Sequence, residues 1–357
     1  MDQISSAKNG NPVKRTGNLF SKIIAYENLW KAAGRASRGK KNKQVVATFN
    51  YRLPENILSL QQELSDENYQ CSNYFIFEIF DPKRRWIVVS DYRDRVVHHA
   101  LCNVIAPHME NKFIFDSYAN RKGKGTHRGV KRYQLFCRNY KYVLNCDIVK
   151  FFPSIDREVM KNKIEGIIKC PLTLRLCQKI IDSAPAGENV SYYPDIYNKD
   201  RTSGLPIGNL TSQHFCNVYL NDFDHFVKEK LRCKGYLRYV DDFSLFSNSK
   251  TELNEWKTAI SEVLKPLYLI LHRDKTQIRP CHIGNTFLGY RIFPGLIRLD
   301  GKKGRLWIKR IKQKRRLYKA GELSWQEVRT SIISWIAHTK HADSDALIRK
   351  VLWNLVF

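Results

Sequence analysis

The sequence predicts a mixed α+β fold in which short strands form an antiparallel sheet with helices packed against it. The chain has 357 residues, of which 43% are hydrophobic, and this is enough for two or three packed subdomains. Two longer segments, residues 211–231 and 253–264, repeat apolar side chains at helical spacing. Strand-like apolar runs lie around them, at residues 73–80, 86–89, 142–147, 237–240, 243–246 and 287–292.

The charge balance points to a polyanionic partner. Lys and Arg number 61 against 34 Asp and Glu, which gives a net charge of +27. An excess of that size opposes compaction unless a polyanion neutralises it. Nucleic acid is the leading candidate, because each phosphate that a protein neutralises releases counterions. An anionic membrane surface is the competing interpretation. The spread of basic residues over the whole chain argues against it, and no apolar run approaches the roughly 20 residues that span a bilayer.

The nine cysteines are odd in number, scattered, and never spaced Cys-x-x-Cys. This pattern excludes an ordinary zinc ribbon and argues against a disulfide scaffold. We therefore expect reduced thiols and a cytoplasmic location. The N-terminal residues lack the apolar region of a signal peptide.

The first 140 residues predict a basic N-terminal segment followed by a hairpin and a helix. A helix is expected around Leu29 and Trp30, before a basic stretch at residues 31–43. A turn at residues 81–82 joins the first two strands into a hairpin with Lys83, Arg84 and Arg85 at its bend. The next helix is expected to run from residue 94 to about 105 and to stop before Pro107. Residues 121–129 then form a basic, glycine-containing loop without the spacing of a P-loop.

Residues 141–357 alternate strands and helices up to a strongly basic end. The strand at residues 142–147 ends in Asp147, and a helix is expected to begin near Ser154 or Asp156. A turn-rich loop at residues 204–208 leads into the long helix, and the 253–264 helix should end at Pro266. Residues 302–319 hold ten Lys or Arg and no acid. Two helices follow, the first opened by a capping box at residues 324–327.

Two adjacent carboxylates, Asp241 and Asp242, lie at a tight turn between two apolar strands. A structural turn would prefer Asn-Gly or Asp-Gly, which accept a positive φ at low cost. Adjacent acids repel each other there, and bound cations would explain that cost. Mg²⁺ prefers one or two carboxylates together with substrate phosphates and waters. A solvated acidic turn is the alternative for this pair alone.

Asp147 supplies a third carboxylate at the end of its own strand. One acid at a strand end and two on a hairpin turn can converge at one edge of a sheet. Such a site holds two Mg²⁺ ions about 3.5–4 Å apart, one at the attacking oxygen and one at the leaving oxygen. Alone, an Asp at a strand end is more often a cap or turn residue. The ordered pair of motifs is the specific signal.

The ordered motifs resemble those of reverse transcriptases over roughly residues 75 to 295. The matching segments are Lys83-Arg-Arg-Trp-Ile87, Asp94-Arg-Val-Val97, Asp147-Ile-Val-Lys-Phe-Phe152, Gly204-Leu-Pro-Ile-Gly-Asn-Leu-Thr-Ser-Gln213, Tyr239-Val-Asp-Asp242, Leu271-His-Arg-Asp-Lys-Thr276 and Phe287-Leu-Gly-Tyr290. The resemblance implies a right-hand polymerase with fingers, an antiparallel-sheet palm and a short helical thumb. It divides the chain into a basic segment (1–70), fingers (71–140), a palm with inserted fingers elements (141–295) and a basic thumb (296–357).

The resemblance also implies roles for single residues. Two Mg²⁺ ions, for which Mn²⁺ can substitute, would be bound by Asp147, the backbone carbonyl of Ile148, Asp241 and Asp242. Phe152 lies at the position of a steric gate that excludes the 2′-hydroxyl of a ribonucleotide, although a core Phe is the alternative. The other implied dNTP-binding residues are Lys83, Arg85, Gly208, Gln213 and Lys275. Lys275 could protonate the leaving pyrophosphate, and it is equally well explained as a solvated side chain.

The variant of the middle motif indicates a subgroup. Ile207 and Gln213 stand where many relatives carry Gln and Pro, and this pattern resembles the reverse transcriptases of diversity-generating retroelements. That subgroup implies error-prone copying of an RNA template repeat, with errors at template adenines, and a small basic accessory protein. A defence-associated or other bacterial reverse transcriptase is the alternative within the family. A non-catalytic RNA-binding scaffold is the alternative of another class.

The remaining implied contacts are with an RNA template and a DNA or RNA primer. The primer grip would consist of Leu288, Gly289 and Tyr290. The basic loop and the basic stretch at residues 302–319 would contact the phosphate backbone, although a surface loop and a solvated helix face are their alternatives. The expected backbone contacts are Arg121, Lys122, Lys124, Lys302, Lys303, Arg305, Arg310, Arg315 and Arg316.

Overall fold

The computed structural model describes residues 16–80, 85–185 and 201–353. The chain forms two compact units, each assembled from several segments. Unit 1 comprises Met1–Phe115, Ile148–Phe226 and Glu262–Ile270, and unit 2 comprises Asp116–Asp147, Val227–Ser261 and Leu271–Phe357. The division into fingers, palm and thumb rests on a different criterion and stays a prediction.

The structure is a mixed α+β fold, as the sequence predicts. The helices are α1 (Phe20–Ile24), α2 (Tyr26–Ala36), α3 (Gln44–Tyr51), α4 (Leu53–Ser65), α5 (Tyr92–Glu110), α6 (Thr126–Asn139), α7 (Phe151–Ser154), α8 (Arg157–Glu165), α9 (Pro171–Asp182), α10 (Leu210–Tyr219), α11 (Asn221–His225), α12 (Lys250–Leu264), α13 (Gly301–Lys319), α14 (Trp325–Thr339) and α15 (Asp345–Trp353). A π-helical turn (Phe226–Lys230) follows α11, and a 3₁₀ turn (Lys265–Leu267) follows α12. The strands are β1 (Phe75–Ile79), β2 (Arg85–Val89), β3 (Tyr142–Cys146), β4 (Gly235–Tyr239), β5 (Asp242–Ser247), β6 (Gln277–Pro280), β7 (Asn285–Phe287), β8 (Tyr290–Ile292) and β9 (Ile297–Leu299).

In the described part of unit 1, all elements are helical apart from the β1–β2 hairpin. The hairpin is antiparallel, with Phe75 paired to Val89, as predicted. Helix α5 is its central buried element and continues through Pro107, so the prediction that it stops before this proline was wrong. Ile105 and Met109, on either side of the proline, are both fully buried. Burial of these flanking side chains outweighs the hydrogen bond that proline cannot donate.

Unit 2 contains a four-stranded antiparallel sheet with the strand order β4-β5-β3-β6. Its core joins α6 to this sheet and to the three-stranded sheet β7-β8-β9. Tyr133 of α6 packs edge-on against Phe246 of β5, and it stacks on Phe287 of β7 with ring centroids 4.8 Å apart. Gly235 is required in β4, because a Cβ there would lie 2.8 Å from both Phe246 and Tyr140.

Two further sequence predictions need correction. Residues 287–292 are not one strand but the β7–β8 hairpin, whose turn residues Leu288 and Gly289 both have positive φ. Such a two-residue turn fits the twist of the strands. The long helix predicted for residues 211–231 is interrupted at Leu220, which has φ −95° and ψ 5°. Tyr219 and Leu220 are both fully buried. Consecutive residues of a helix point in different directions, so this segment is buried on more than the single apolar face from which one continuous helix was predicted.

The predicted helix starts at Asp156 and Ser324 are confirmed. The Asp156 side chain caps α8 by accepting a hydrogen bond from the Val159 amide. The capping box of Ser324 and Glu327 opens α14, and the basic stretch forms α13. All nine cysteines are free thiols. Among the described residues, none of the helices has the length and apolar character needed to cross a membrane.

Candidate active site

The three predicted carboxylates come together at one end of the unit 2 sheet. Pairing of Tyr239 with Asp242 closes the β4–β5 hairpin and leaves Val240 and Asp241 as its two-residue turn. On the other side of β5, Cys146 pairs with Phe243. In this antiparallel register the next residue of β3, Asp147, lies opposite Asp242. The strand pairing therefore brings the predicted carboxylates together.

The electrostatics of the site confirm that these acids are neighbours. Burial, the charges of Asp241 and Asp147, and a hydrogen bond with Asp147 together raise the pKa of Asp242 to about 7. Lys275 acts in the opposite direction on that pKa, and its ammonium group pairs with Oδ2 of Asp147. The Asp147 backbone carbonyl accepts a hydrogen bond from the His272 amide at 2.7 Å. The segment that carries Lys275 is thus attached to the end of β3.

The basic, glycine-containing loop of residues 121–129 lies beside the hairpin that carries Asp241 and Asp242. Thr126 Oγ1 and the Tyr239 hydroxyl are 3.1 Å apart, in hydrogen-bond contact. The loop is folded back on itself, since the Gly125 amide donates to the Tyr118 carbonyl at 2.8 Å and Lys124 lies over the Tyr118 ring. Its last residues, from Thr126 on, form the start of α6. This loop therefore contacts the hairpin that carries Asp241 and Asp242 through Tyr239.

The predicted primer-grip residues form the β7–β8 turn within unit 2. Leu288 is half-buried, and its side chain lies 3.7 Å from the position a Cβ on Gly129 would take. The Tyr290 ring is buried and its hydroxyl donates to the His338 carbonyl at 2.9 Å. Tyr290 therefore anchors the hairpin, whose turn residues Leu288 and Gly289 are half-buried and buried, respectively.

The predicted phosphate contacts of unit 2 are mostly exposed. Lys122 is exposed, whereas Arg121 and Lys124 are half-buried. On α13 the exposed members are Lys302, Arg305, Arg310 and Arg316, and Arg315 is half-buried. The Lys303 side chain lies outside the described part of the structure. Exposed cations along one helix fit the expected contact with a phosphate backbone.

The predicted nucleotide-binding residues of unit 1 lie on α7 and at the start of α10. Phe151 is buried in the core, whereas Phe152 is half-exposed. The Ile207 carbonyl accepts a hydrogen bond from the Val88 amide of β2 at 3.3 Å. Gly208 has φ +132°, and a Cβ there would lie 3.0 Å from the Val88 carbonyl, so this position requires glycine. Gln213 is half-exposed in the first turn of α10.

Three predicted residues are less completely described. Lys83 lies outside the described residues. Arg85 opens strand β2, and its side chain is not described. Ile148, whose backbone carbonyl was predicted to bind metal, has a buried side chain. Their roles stay predictions.

The sequence profile described as reverse transcriptase (RNA-dependent DNA polymerase) matches residues 81–292, more than half of the chain. The chain belongs to the reverse transcriptase family. The matched region contains all three carboxylates and Lys275. Members of the family act on a nucleic-acid template and primer and typically use divalent metals. At the level of the family, this confirms the nucleic-acid partner and the divalent metals expected from the charge and the motifs.

Curated relatives are distant. Protein YkfC of Escherichia coli K12 is 23% identical over 281 residues, which cover 68% of this chain and 72% of YkfC. The group II intron-encoded protein LtrA of Lactococcus lactis subsp. cremoris is 24% identical over 209 residues, which cover 57% of this chain and 33% of LtrA. The chain thus spans about a third of the length of that intron-encoded relative.

A solved structure confirms the polymerase fold. Apo telomerase from Candida tropicalis matches with a TM-score of 0.51 and 14% identity, over 79% of this chain and 59% of that chain. At this identity the likeness concerns the fold alone.

The residues fit the divalent metals typical of the family. Within the described ranges, no three His, Cys, Asp or Glu side chains already stand in the geometry of a formed metal site. The donors at the sheet end are nevertheless all carboxylate oxygens, the ligands that Mg²⁺ prefers, and Mg²⁺ needs only one or two of them besides phosphates and waters. Burial first, and the charges of Asp241 and Asp147 second, raise the pKa of Asp242, and a bound cation would favour its ionised form.

Sequence reasoning missed the residues that support the turn carrying Asp241. Arg238 is fully buried and donates from Nη1 to the Val240 carbonyl at 3.0 Å. Asp116, also buried, is bound by Arg132 through two hydrogen bonds of 2.8 and 3.1 Å. The only sequence signal was an arginine inside an apolar strand, because the bond from Arg238 to Val240 depends on the turn conformation and no spacing pattern connects Asp116 with Arg132.

Proposed function

We propose that this chain is an RNA-directed DNA polymerase that extends a DNA or RNA primer with dNTPs on an RNA template. The observation that carries the proposal is the convergence of Asp147, Asp241 and Asp242 at one end of the unit 2 sheet. Family membership supports it. The net charge of +27 supports a polyanionic substrate.

In this proposal Asp147, Asp241 and Asp242, with the Ile148 carbonyl, hold two Mg²⁺ ions. The bound ions would activate the primer 3′-hydroxyl and neutralise the leaving pyrophosphate. Lys275 already carries its ammonium group to Asp147. Its exchange of that partner for a phosphate would bring a proton donor to the pyrophosphate, as general acid catalysis requires.

Phe152 is proposed as the residue that selects deoxyribonucleotides. Its ring is half-exposed, whereas the neighbouring Phe151 is buried. Phe151 is therefore the residue by which this segment packs into the core, and the Phe152 ring remains accessible. A rigid ring beneath the sugar leaves no room for a 2′-hydroxyl. Lys83, Arg85, Gly208 and Gln213 are proposed to contact the nucleotide or its phosphates.

The finer proposal is a role in a diversity-generating retroelement. It rests on Ile207 and Gln213 in the middle motif and on the basic loop, which resemble that group. The proposed substrate is then a template-repeat RNA, copied with errors at adenines for mutagenic retrohoming, and the proposed partner is a small basic accessory protein. A defence-associated or other bacterial reverse transcriptase would share the chemistry and lack this error spectrum.

Primer extension on a defined RNA template with dNTPs and Mg²⁺ tests the polymerase proposal. Asp241→Asn should abolish extension while template affinity changes little, because a neutral amide cannot replace a charged metal ligand. Glu255→Gln, an exposed acid on α12, is the matched control and should extend normally. Normal extension by Asp241→Asn would refute the metal-site assignment. Template binding without extension by the wild type would favour the RNA-binding scaffold.

Sequencing of the extension products tests the retroelement proposal separately. The proposal requires misincorporation concentrated opposite template adenine. An even error spectrum over the four template bases would contradict the retroelement role and leave the polymerase proposal intact.

A further inference from the structure

The turn that carries Asp241 has a backbone conformation that its sequence disfavours. Val240 has φ +58°, and a β-branched residue in the left-handed region is a genuine outlier. Such conformations persist only where the surrounding structure holds them. Because the Asp241 amide follows the Val240 carbonyl directly, the conformation of Val240 sets the position of the Asp241 carboxylate.

The side chain that holds this turn is Arg238, two residues earlier on β4. Its guanidinium Nη1 donates to the Val240 carbonyl at 3.0 Å, and the residue is 0% exposed. Side chains alternate along a strand, so Arg238 approaches the turn from the face opposite to Tyr239 and Asp242. A hydrogen bond from a charged donor is strong, and exclusion of water strengthens it.

Arg238 is itself fixed through its backbone. The Arg238 amide donates to the Asp116 carbonyl at 3.0 Å, and the Arg238 carbonyl accepts from the Tyr118 amide at 2.9 Å. Asp116 is anchored in turn by Arg132. The outer edge of β4 is therefore covered by residues 116–118, and the guanidinium group projects from a rigid base.

We infer that Arg238 is a positioning residue for the proposed polymerase reaction: it holds the strained Val240 carbonyl and thereby fixes Asp241 beside Asp147 and Asp242. The inference rests on the proposed function. A purely structural buried arginine would stabilise the fold whatever residue stands at position 240. A positioning role for Arg238 instead requires that its substitution lowers activity by changing the conformation of Val240.

A double-mutant cycle tests that requirement. Arg238→Met removes the donor and keeps much of the side-chain volume, and Arg238→Lys keeps a buried cation with a shorter reach. Loss of a charge-assisted hydrogen bond should lower kcat by roughly 10- to 150-fold for Met and less for Lys. KM for dNTP and template affinity should change little, because the substrate contacts remain.

The same substitutions are then made together with Val240→Gly. Glycine adopts positive φ without steric cost, so the turn no longer needs the clamp and the loss caused by each Arg238 substitution should shrink. Glu255→Gln, an exposed acid on α12 outside this chain of contacts, is the matched control, and its effect should be equal with Val240 and with Val240→Gly.

Mn²⁺ affinity, measured by titration calorimetry without polymerisation, provides a second readout of the cycle. Arg238→Lys should weaken Mn²⁺ binding, and less so when combined with Val240→Gly. The inference would be overturned if the Arg238 substitutions lowered kcat and Mn²⁺ affinity equally with Val240 and with Val240→Gly. This holds even if the wild type extends primers normally. If the wild type fails to extend any primer, the proposed function fails, and the Mn²⁺ cycle still decides the role of Arg238. Should Arg238→Met fail to fold, the Lys variant carries the test.

Discussion

Asp242→Asn should make the metal-free protein more stable at neutral and alkaline pH while it impairs polymerisation. Burial and the neighbouring charges of Asp241 and Asp147 raise the pKa of Asp242 to about 7. In the unfolded chain an Asp titrates near 3.9. The folded state therefore binds the proton more tightly than the unfolded state. For that reason ionised Asp242 destabilises the fold, and the penalty grows as pH rises from about 4 to about 7.

The size of the penalty follows from the two pKa values. A difference of about three units corresponds to roughly 4 kcal/mol at pH values above about 7. This is an upper bound, because a buried amide has a desolvation cost of its own. We expect a gain of roughly 1–3 kcal/mol for Asp242→Asn at about pH 8, falling towards zero near pH 4. In a domain of 150–250 residues each kcal/mol raises Tm by about 2–4 °C.

Thermal unfolding with a metal chelator, at several pH values, measures this gain. Two compact units need not unfold together, so the transition of unit 2 is followed. Glu255→Gln controls for the loss of one negative charge at an exposed position of the same unit. If Asp242→Asn does not stabilise unit 2 at about pH 8, or if the stabilisation does not vary with pH, then ionised Asp242 does not destabilise the fold.

Three further predictions concern the substrate. Phe152→Ala should raise the ratio of ribonucleotide to deoxyribonucleotide kcat/KM, whereas Phe151→Ala should lower Tm without changing that ratio; an unchanged ratio for Phe152→Ala would place the gate elsewhere. Ile207→Gln should lower the error rate at template adenines by roughly 2- to 13-fold, the worth of one net hydrogen bond, and equal adenine errors in sequenced products would exclude Ile207 from fidelity. Replacing exposed Arg310 and Arg316 of α13 by Gln should reduce the salt dependence of template binding by about one logarithmic slope unit per lost phosphate contact; an unchanged slope would mean that α13 faces solvent.

The parts of the site that were predictable from sequence are those in which residues near in sequence act together. Asp241 and Asp242 are adjacent at a predicted turn and Asp147 ends an apolar strand, so the ordered pair of motifs predicted that the three can converge. Strand register then determines that Asp147 faces Asp242, and one sequence does not contain that register in readable form. The ion pair of Lys275 with Asp147 links distant residues and was for the same reason unpredictable.

The errors in the fold have a common physical origin. Pro107 was expected to end a helix and does not, because Ile105 and Met109 are buried on both sides of it. Leu220 was expected to continue a helix and interrupts it where adjacent side chains are buried. In both cases tertiary burial outweighs a local preference worth at most about 3 kcal/mol. Sequence periodicity reflects local helix preference and which face of a segment is buried on average. It does not show which individual side chains the tertiary structure buries.

The positive charge of the chain and the cluster of carboxylates at the sheet end are expected to have separate roles. The chain carries a net charge of +27, and exposed cations line α13 while the basic loop lies beside the carboxylate hairpin. The positive field attracts a polyanion from a distance. At the sheet end, however, the clustered carboxylates would repel the same phosphates unless divalent cations separated them. Nucleic-acid binding and catalysis are therefore expected to depend on different charges: the basic surfaces set affinity, and the carboxylates, held in place through Val240 and Arg238, set the rate.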